Sequence, residues 1–266
     1  MTHIRFLGTG GGRVVTMLQT RSTGGILIED KLRVLIDPGP GSLIQLKNMR
    51  IHPMKIDVLL LSHCHPDHYT DAEILIEAMS RRKREKGLIL ASKSLIEGAE
   101  NYNPPLSKYH LSKIEDVEVM YPGEAFTWRG TDFTATPTVH GDPTGIGFKM
   151  DTKHGIISYT SDTTLNDQVV KAHEGARALI LSCTRPLGAR IPNHLSTEDA
   201  AVFITEVKPD IALLTHLGLK FLKSNPKYQA EWIEEKTGVR TISAEDLMDV
   251  NMREYIDVNR RVTRKT

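Results

Sequence analysis

Six consecutive residues, His63-Cys64-His65-Pro66-Asp67-His68, constrain this chain more than any other stretch of its 266 residues. They follow the apolar run Asp57-Val58-Leu59-Leu60-Leu61-Ser62, which reads as a buried strand, and precede a helix-like segment from Tyr69 to Ser80. Imidazoles and a carboxylate are thus delivered at a strand end, where a loop is rigidly held. His63 and His65 stand two apart in extended chain and can face the same way. Asp67 and His68 lie past the Pro66 bend and can address a second ion. Imidazole nitrogen and carboxylate oxygen suit zinc, manganese or iron. The competing reading is a surface loop carrying a chance histidine cluster, so the remaining chain must supply or withhold further ligands.

Composition sets the background. Net charge is +1 and a quarter of the residues are charged, so nucleic-acid affinity through global charge is excluded and any such affinity must be local. Cys64 and Cys183 are far apart and form no CxxC pair, which argues against a disulfide framework or a thiolate zinc site and fits a reducing, cytoplasmic setting. No long apolar segment exists, so membrane spanning and secretion are not expected. Residues 1–266 read as one domain with a basic tail at 259–266 that is expected to fray.

Along the chain, His3 to Thr9 reads as a first strand ending in Gly8-Thr9-Gly10-Gly11-Gly12-Arg13. A dinucleotide fingerprint fails there, because its third glycine would fall on Arg13 and Val14-Val15-Thr16 is no clear helix start. A tight turn with positive φ is the reading adopted, with Thr20, Arg21 and Ser22 near enough to add phosphate contacts. Gly25 to Glu29 and Arg33 to Ile36 form a hairpin pattern that ends at Asp37. An aspartate there either opens a turn or accepts the second N–H of a ligand histidine. A helix from Ala72 ends in Arg81-Arg82-Lys83-Arg84-Glu85-Lys86-Gly87, where basic residues complement the helix dipole and also offer a local patch for RNA phosphates. Asn101 to Ser107 is a loop long enough to overhang a site.

From Val117 to Met150 the pattern is successive strands. The extended run Asp132 to Val139 ends in His140, Ile156 to Thr160 ends near Asp162, and Ile211 to Thr215 ends in His216. With the run before His63, four extended runs each terminate in a histidine or an aspartate. Chemically compatible groups at so many strand ends point to one sheet edge holding a metal centre. His194 falls just before a helix that Ser196 and Asp199 cap, which leaves it either an exposed histidine beside a cap or a group reaching over the site.

The ordered set Asp37, His63-x-His65-x-Asp67-His68, His140, Asp162 and His216 resembles the metallo-β-lactamase fold superfamily of metal-dependent hydrolases. That resemblance spans Phe6 to Leu217 and implies an α/β fold, an αββα sandwich with a dinuclear metal site at the edge of its two sheets. Within the superfamily the chain is most similar to the RNase Z and cyclic-phosphate phosphodiesterase branch. The residues that carry this are Phe6-Leu7-Gly8-Thr9-Gly10, Asp37-Pro38-Gly39-Pro40-Gly41, and His194-Leu195-Ser196-Thr197-Glu198-Asp199 ahead of Leu213-Leu214-Thr215-His216.

By that resemblance His63, His65 and His140 hold one divalent ion, Asp67, His68 and His216 a second, and Asp162 bridges them; zinc is the expected metal, with manganese or iron as alternatives. The implied nucleophile is a metal-bridging hydroxide, with Asp67 and His194 as the catalytic side chains and His194 acting at the phosphate. His140 and Asp162 are too close for the long tRNA-gripping arm that RNase Z enzymes insert there, and the zinc-binding cysteines of some compact relatives are absent. The expected function is a phosphodiesterase acting on RNA or a small cyclic phosphodiester. Hydrolysis of a lactone or thioester at the same dinuclear site is the enzymatic alternative, and a non-catalytic RNA-binding protein the other. A homodimer is an assembly common among such relatives.

Overall fold

The structure, a computed structural model, describes residues 1–81, 87–253 and 256–259. The basic segment through Lys86 and the basic tail therefore lie almost wholly outside the described residues, and so do the RNA-patch and fraying expectations attached to them.

The chain builds a first sheet from β1 (Thr2–Phe6), β2 (Ile26–Glu29), β3 (Arg33–Ile36), β4 (Val58–Leu61), β5 (Leu88–Ala91) and β6 (Asp116–Val119). It then builds a second from β7 (Ala125–Trp128), β8 (Thr131–Pro137), β9 (Ile146–Thr152), β10 (Gly155–Tyr159), β11 (Ala176–Arg185), β13 (Ile211–Thr215) and β14 (Thr241–Ser243), with the two-residue β12 (Leu195–Ser196) pairing β11. Finally β15 (Asp249–Met252) and β16 (Asp257–Asn259) return to the first sheet beside β1.

The apolar runs of β3, β4, β5, β11 and β13 are explained by burial on both faces. Along β4, Val58 and Leu60 enter the core between the sheets with Phe133, Phe148 and Ile180. Leu59 and Leu61 enter a separate outer core with Leu46, Leu75 and Met79. Those three sit on α2 (Ser42–Asn48) and α4 (Ala72–Ser80), which follow α1 (Arg13–Leu18); α3 (Pro66–Tyr69) lies between α2 and α4 in the chain. The second sheet repeats the arrangement. Ile180 and Leu213 face inward, whereas Leu179, Leu181 and Leu214 meet Phe203, Phe221 and Ile233. α5 (Lys93–Ile96), α6 (Lys108–Leu111) and α7 (Asp167–Ala172) precede the helices that carry these residues, α8 (Thr197–Val207), α9 (Leu219–Lys223) and α10 (Pro226–Thr237). Helix, sheet, sheet and helix are therefore stacked in that order, the expected αββα sandwich.

Two features depart from the sequence reading. The glycine-rich turn does open a helix: α1 begins at Arg13 although Val14, Val15 and Thr16 are β-branched residues of modest helix propensity. Only Val15 of that helix is buried, so its place depends on the turn before it rather than on an apolar face. The edge strands β15 and β16 were not expected: Asp249-Val250-Asn251-Met252 does alternate polar and apolar, but over a single short run with aspartate and asparagine, residues depleted in strands, at its polar positions. They form by antiparallel pairing, β15 with β1 and β16 with β15, and Val250 and Met252 enter the core between the sheets. No helix among the described residues is long and apolar enough to cross a membrane.

Candidate metal centre

The parallel strands β3, β4 and β5 run one way in the first sheet, as do β10, β11 and β13 in the second. Their carboxyl ends, where an open sheet offers a crevice, carry Asp37, His63, Asp162, Thr184 and His216. β8, two antiparallel steps from β10, shares the direction and leads to His140. Sheet edges thus bring together every residue singled out from the sequence as a ligand.

Two groups form around one carboxylate. His65 Nδ1 lies 3.0 Å from His63 Nε2 and 3.0 Å from His140 Nε2. On the other side, His216 Nε2 lies 3.3 Å from His68 Nε2 and 3.2 Å from Asp67 Oδ2. Asp162 Oδ2 stands between the groups, 3.3 Å from His216 Nε2, 3.7 Å from His68 Nε2 and 3.9 Å from His140 Nε2. Three nitrogens or oxygens on each side fall within 4.8 Å of one another, close enough to share an ion.

The second nitrogen of most of these imidazoles is tied down, which fixes which atom faces the centre. His68 Nδ1 meets Asp37 Oδ2 at 2.8 Å, His216 Nδ1 meets Thr184 Oγ1 at 3.0 Å, and His140 Nδ1 donates to the Asn193 carbonyl at 2.8 Å. His63 Nδ1 has Ser62 Oγ at 3.0 Å. Asp37 is therefore the orienting carboxylate rather than only a turn residue. It also accepts from the Ser62 amide, the Ser62 hydroxyl and the Tyr159 hydroxyl at 2.7, 2.6 and 2.9 Å.

Backbone geometry at the centre is unusual. Asp37, Ser161, Asn193 and His216 all adopt left-handed φ, at 46°, 56°, 64° and 55°. Such strain in non-glycine residues persists where surrounding structure dictates it and gathers at functional sites. The glycine turn is needed for a different reason. A Cβ on Gly11 would lie 2.2 Å from the His216 ring, and the Gly12 amide donates to Asp67 Oδ2 at 3.1 Å. The anion that this turn approaches is the protein's own Asp67 carboxylate. Arg21 stands beside this turn with Nη1 donating to Thr9 Oγ1 at 3.1 Å and to the Ala244 carbonyl at 2.9 Å.

Charge divides the centre. Burial and the neighbouring His68, His140 and His65 push His63 well below the ordinary histidine range, and burial with His140 and His68 lowers His65. Burial would also discharge His68, but Asp67, Asp37 and Asp162 outweigh it and hold its imidazole well above that range. Although burial opposes ionisation of Asp67 and Asp162, the adjacent histidines hold both carboxyls low. Asp162 Oδ1 is buried with no hydrogen-bond partner. An orphaned carboxylate oxygen, lone pairs of neutral imidazoles turned toward one another, and several carboxylates around one histidine fit a pair of divalent cations.

His194 stands at the open side with its Nδ1 3.5 Å from Asp162 Oδ2 and 3.4 Å from Thr184 Oγ1. Burial, with help from His216 and His140 and against the pull of Asp162, lowers its pKa to about 4. Histidine's ordinary pKa therefore does not apply to His194, and its imidazole is neutral near pH 7. Thr184 and Tyr159 were missed from the sequence because they lie within strands rather than beyond them. Thr184 does fall directly after the apolar run of β11, a signal of the same kind as the ones that were used.

Residues 32–217 match the profile of the family described as "Beta-lactamase superfamily domain". The chain belongs to the β-lactamase superfamily. Its fold is the metallo-β-lactamase sandwich, for which divalent ions in such a histidine and aspartate cluster are implied. The uncharacterised protein MJ1374 of Methanocaldococcus jannaschii is 43% identical over 246 residues, covering 91% of this chain and 92% of that protein. Ribonuclease Z of Thermococcus sibiricus is 28% identical over 163 residues, 58% of this chain, and the match spans half of the enzyme's own length. Among solved structures, the metallo-β-lactamase fold protein YhfI of Bacillus subtilis superposes with a TM-score of 0.76 at 20% identity, covering 93% of this chain and 98% of that one.

Proposed function

We propose that this superfamily hydrolase is a dinuclear metallophosphodiesterase acting on RNA or a small cyclic phosphodiester. The observation that carries this reading is the position of Asp162 Oδ2 within 3.9 Å of both His140 and His68, with three donors on either flank. His63, His65 and His140 would hold one ion and Asp67, His68 and His216 the other, with Asp162 placed between the two donor sets to serve both. Bound cations there supply positive charge for phosphate oxygens and acidify a water molecule. Zinc suits the donor set, and manganese and iron remain alternatives.

The chain's own groups do the rest. Asp37, Thr184 and the Asn193 carbonyl hold His68, His216 and His140 with Nε2 aimed inward. These outer partners fix the orientation of the three rings. His194 is the catalytic acid that gives the leaving oxygen a proton from Nδ1, the nitrogen facing the centre. Because this imidazole is neutral without substrate, it must take up that proton as an anionic phosphate arrives beside it. Support for phosphorus rather than carbonyl chemistry comes from the kinship with ribonuclease Z.

A substrate panel tests the proposal on protein loaded with zinc or manganese: bis-nitrophenyl phosphate, 2′,3′-cyclic nucleotides, a pre-tRNA, homoserine lactones and a glutathione thioester. Turnover confined to phosphodiesters is expected, with two ions per chain by elemental analysis. Turnover of lactone or thioester alone would move the assignment to carbonyl hydrolysis. RNA binding with no turnover of any substrate would leave a non-catalytic binding protein.

A further inference from the structure

Two residues past His140 lies a buried carboxylate to which the ligand set gives no role. Asp142 is 1% exposed, and its four hydrogen bonds leave it fully engaged. Oδ2 accepts from the Cys64 amide at 3.1 Å and from the Ser94 hydroxyl, while Oδ1 accepts from the Thr144 amide and hydroxyl, each at 2.9 Å. The Thr144 hydroxyl oxygen in turn accepts from the Ser94 amide at 3.0 Å.

These partners belong to separate parts of the fold. Cys64 is the residue between His63 and His65, on the loop that leaves β4 in the first sheet. Ser94 lies in α5, the short helix after β5. Asp142 and Thr144 belong to the β8–β9 connection of the second sheet, which also carries His140. That connection touches the first ligand loop again where the Ile146 amide donates to the Ser62 carbonyl at 3.0 Å, and a Cβ on Gly141 would meet the His65 ring at 3.7 Å.

His65 needs such a support. It is the one histidine of its trio that presents Nδ1, the nitrogen nearest its own backbone, so its donor atom follows every movement of the main chain at 64 and 65. Unlike His63, His68, His140 and His216, it has no outer hydrogen bond to fix its ring among the interactions described. What places it is the backbone, and Asp142 grips that backbone through the Cys64 amide.

We propose that Asp142 is a positioning residue of the centre: by clamping the Cys64 amide to the His140 loop it sets the affinity of the ion held by His63, His65 and His140, and leaves the other ion alone. The inference rests on the dinuclear reading above, and wild-type stoichiometry tests that reading by itself. If the wild type binds two zinc ions, the variants address Asp142 alone.

The experiment is zinc titration of apo-protein against a chromophoric chelator, with apo-protein circular dichroism to verify folding. Asp142→Asn can keep one face of the carboxylate's bonds but turns an NH2 group against donors on the other. It should weaken one of the two ions by on the order of 10- to 100-fold, the range for outer-shell groups of metal sites, and leave the second unchanged. Ser94→Ala, a milder change that removes one of the four bonds, should weaken the same ion by less and keeps the test available if Asp142→Asn does not fold. The discriminating arm is the pair with His65→Ala. Once His65 is gone, adding Asp142→Asn should change zinc affinity no further, because a clamp has nothing left to place. Both ions held within twofold of wild type in both single variants, equal weakening of both ions, or a full additional loss in the His65→Ala background would each overturn the assignment.

Discussion

At the scale of single residues, the centre works by giving the two nitrogens of an imidazole different tasks. His68, His140 and His216 each spend Nδ1 on a fixed oxygen and keep Nε2 for the interior of the site. His194 stands outside that scheme, which makes its role separable by leaving group. Nitrophenolate departs without a proton and an alkoxide does not. His194→Ala should therefore lose on the order of 10² to 10⁴ in rate on a nucleoside or alkyl diester and much less on a nitrophenyl diester. Equal losses with unchanged metal content would show that the imidazole binds phosphate instead. Uptake of its proton with the ligand gives a second expectation: near pH 7, binding of dimethyl phosphate, a diester anion that does not itself titrate there, should be accompanied by proton uptake, read as a dependence of calorimetric enthalpy on the buffer's ionisation heat. The dependence should vanish in His194→Ala, and its persistence there would place the proton elsewhere.

Among the elements, α7 and β10 enclose a histidine that has nothing to do with the centre. His173, at the end of α7, is fully buried, hydrogen-bonds the Ser158 hydroxyl at 2.6 Å through Nδ1 and lacks a partner at Nε2. Burial, reinforced by Lys149, lowers its pKa to about 3 against an ordinary 6.5. Between those values the unfolded chain holds a proton that the folded chain refuses, so stability falls as pH falls, by about 1.4 kcal/mol per pH unit for this group. Above pH 6.5 the contribution is nil. Urea midpoints of zinc-loaded wild type and His173→Asn at pH 7 and 5.5 check this: the variant should lose less stability over that interval, and identical slopes would exclude the group as a source. Legibility in the sequence also divides by element. β4, β11 and β13 announce themselves because burial on both faces demands unbroken apolar runs, and the ligands at their ends follow. β15 pairs with β1 and sends Val250 and Met252 into the core, but its alternation is short and has the strand-poor Asp249 and Asn251 at the polar positions, so it does not stand out from a loop. α1 is equally silent, since the glycine turn that hugs His216 and Asp67 dictates where it begins. Tyr159 escaped notice because its importance lies in Asp37, which it touches across the sandwich, and a one-dimensional pattern does not contain that.

For the molecule as a whole, the centre is also a fastening. His63, His65, Asp67 and His68 leave the first sheet, while His140, Asp162 and His216 leave the second. Ions that bind the folded arrangement and not the separated ligands stabilise by mass action. Removing them with a chelator should lower the melting temperature, and the loss should be restored by zinc added above the chelator's capacity. At a free ion concentration a thousandfold above the dissociation constant the contribution is about 4 kcal/mol. A melting temperature indifferent to chelation, in protein verified to have lost its ions, would show that the sandwich is closed by its apolar core alone.

The left-handed residues around the site carry an evolutionary consequence. Ser161, at φ 56°, holds its hydroxyl 3.5 Å from His63 Nδ1. Glycine would occupy that backbone region without the steric penalty, on the order of 1 kcal/mol, that serine carries there. Part of this gain is returned through the greater freedom of glycine in the unfolded chain. Ser161→Gly should therefore melt at or above the wild-type temperature in the absence of zinc while binding zinc more weakly. A lower melting temperature for the apo variant would contradict the assignment of strain. Selection on such a position pulls in opposite directions according to whether durability or chemistry is scarce. A library screened only for heat resistance would be expected to drift toward glycine there, and so to erase part of the centre that the fold holds in place.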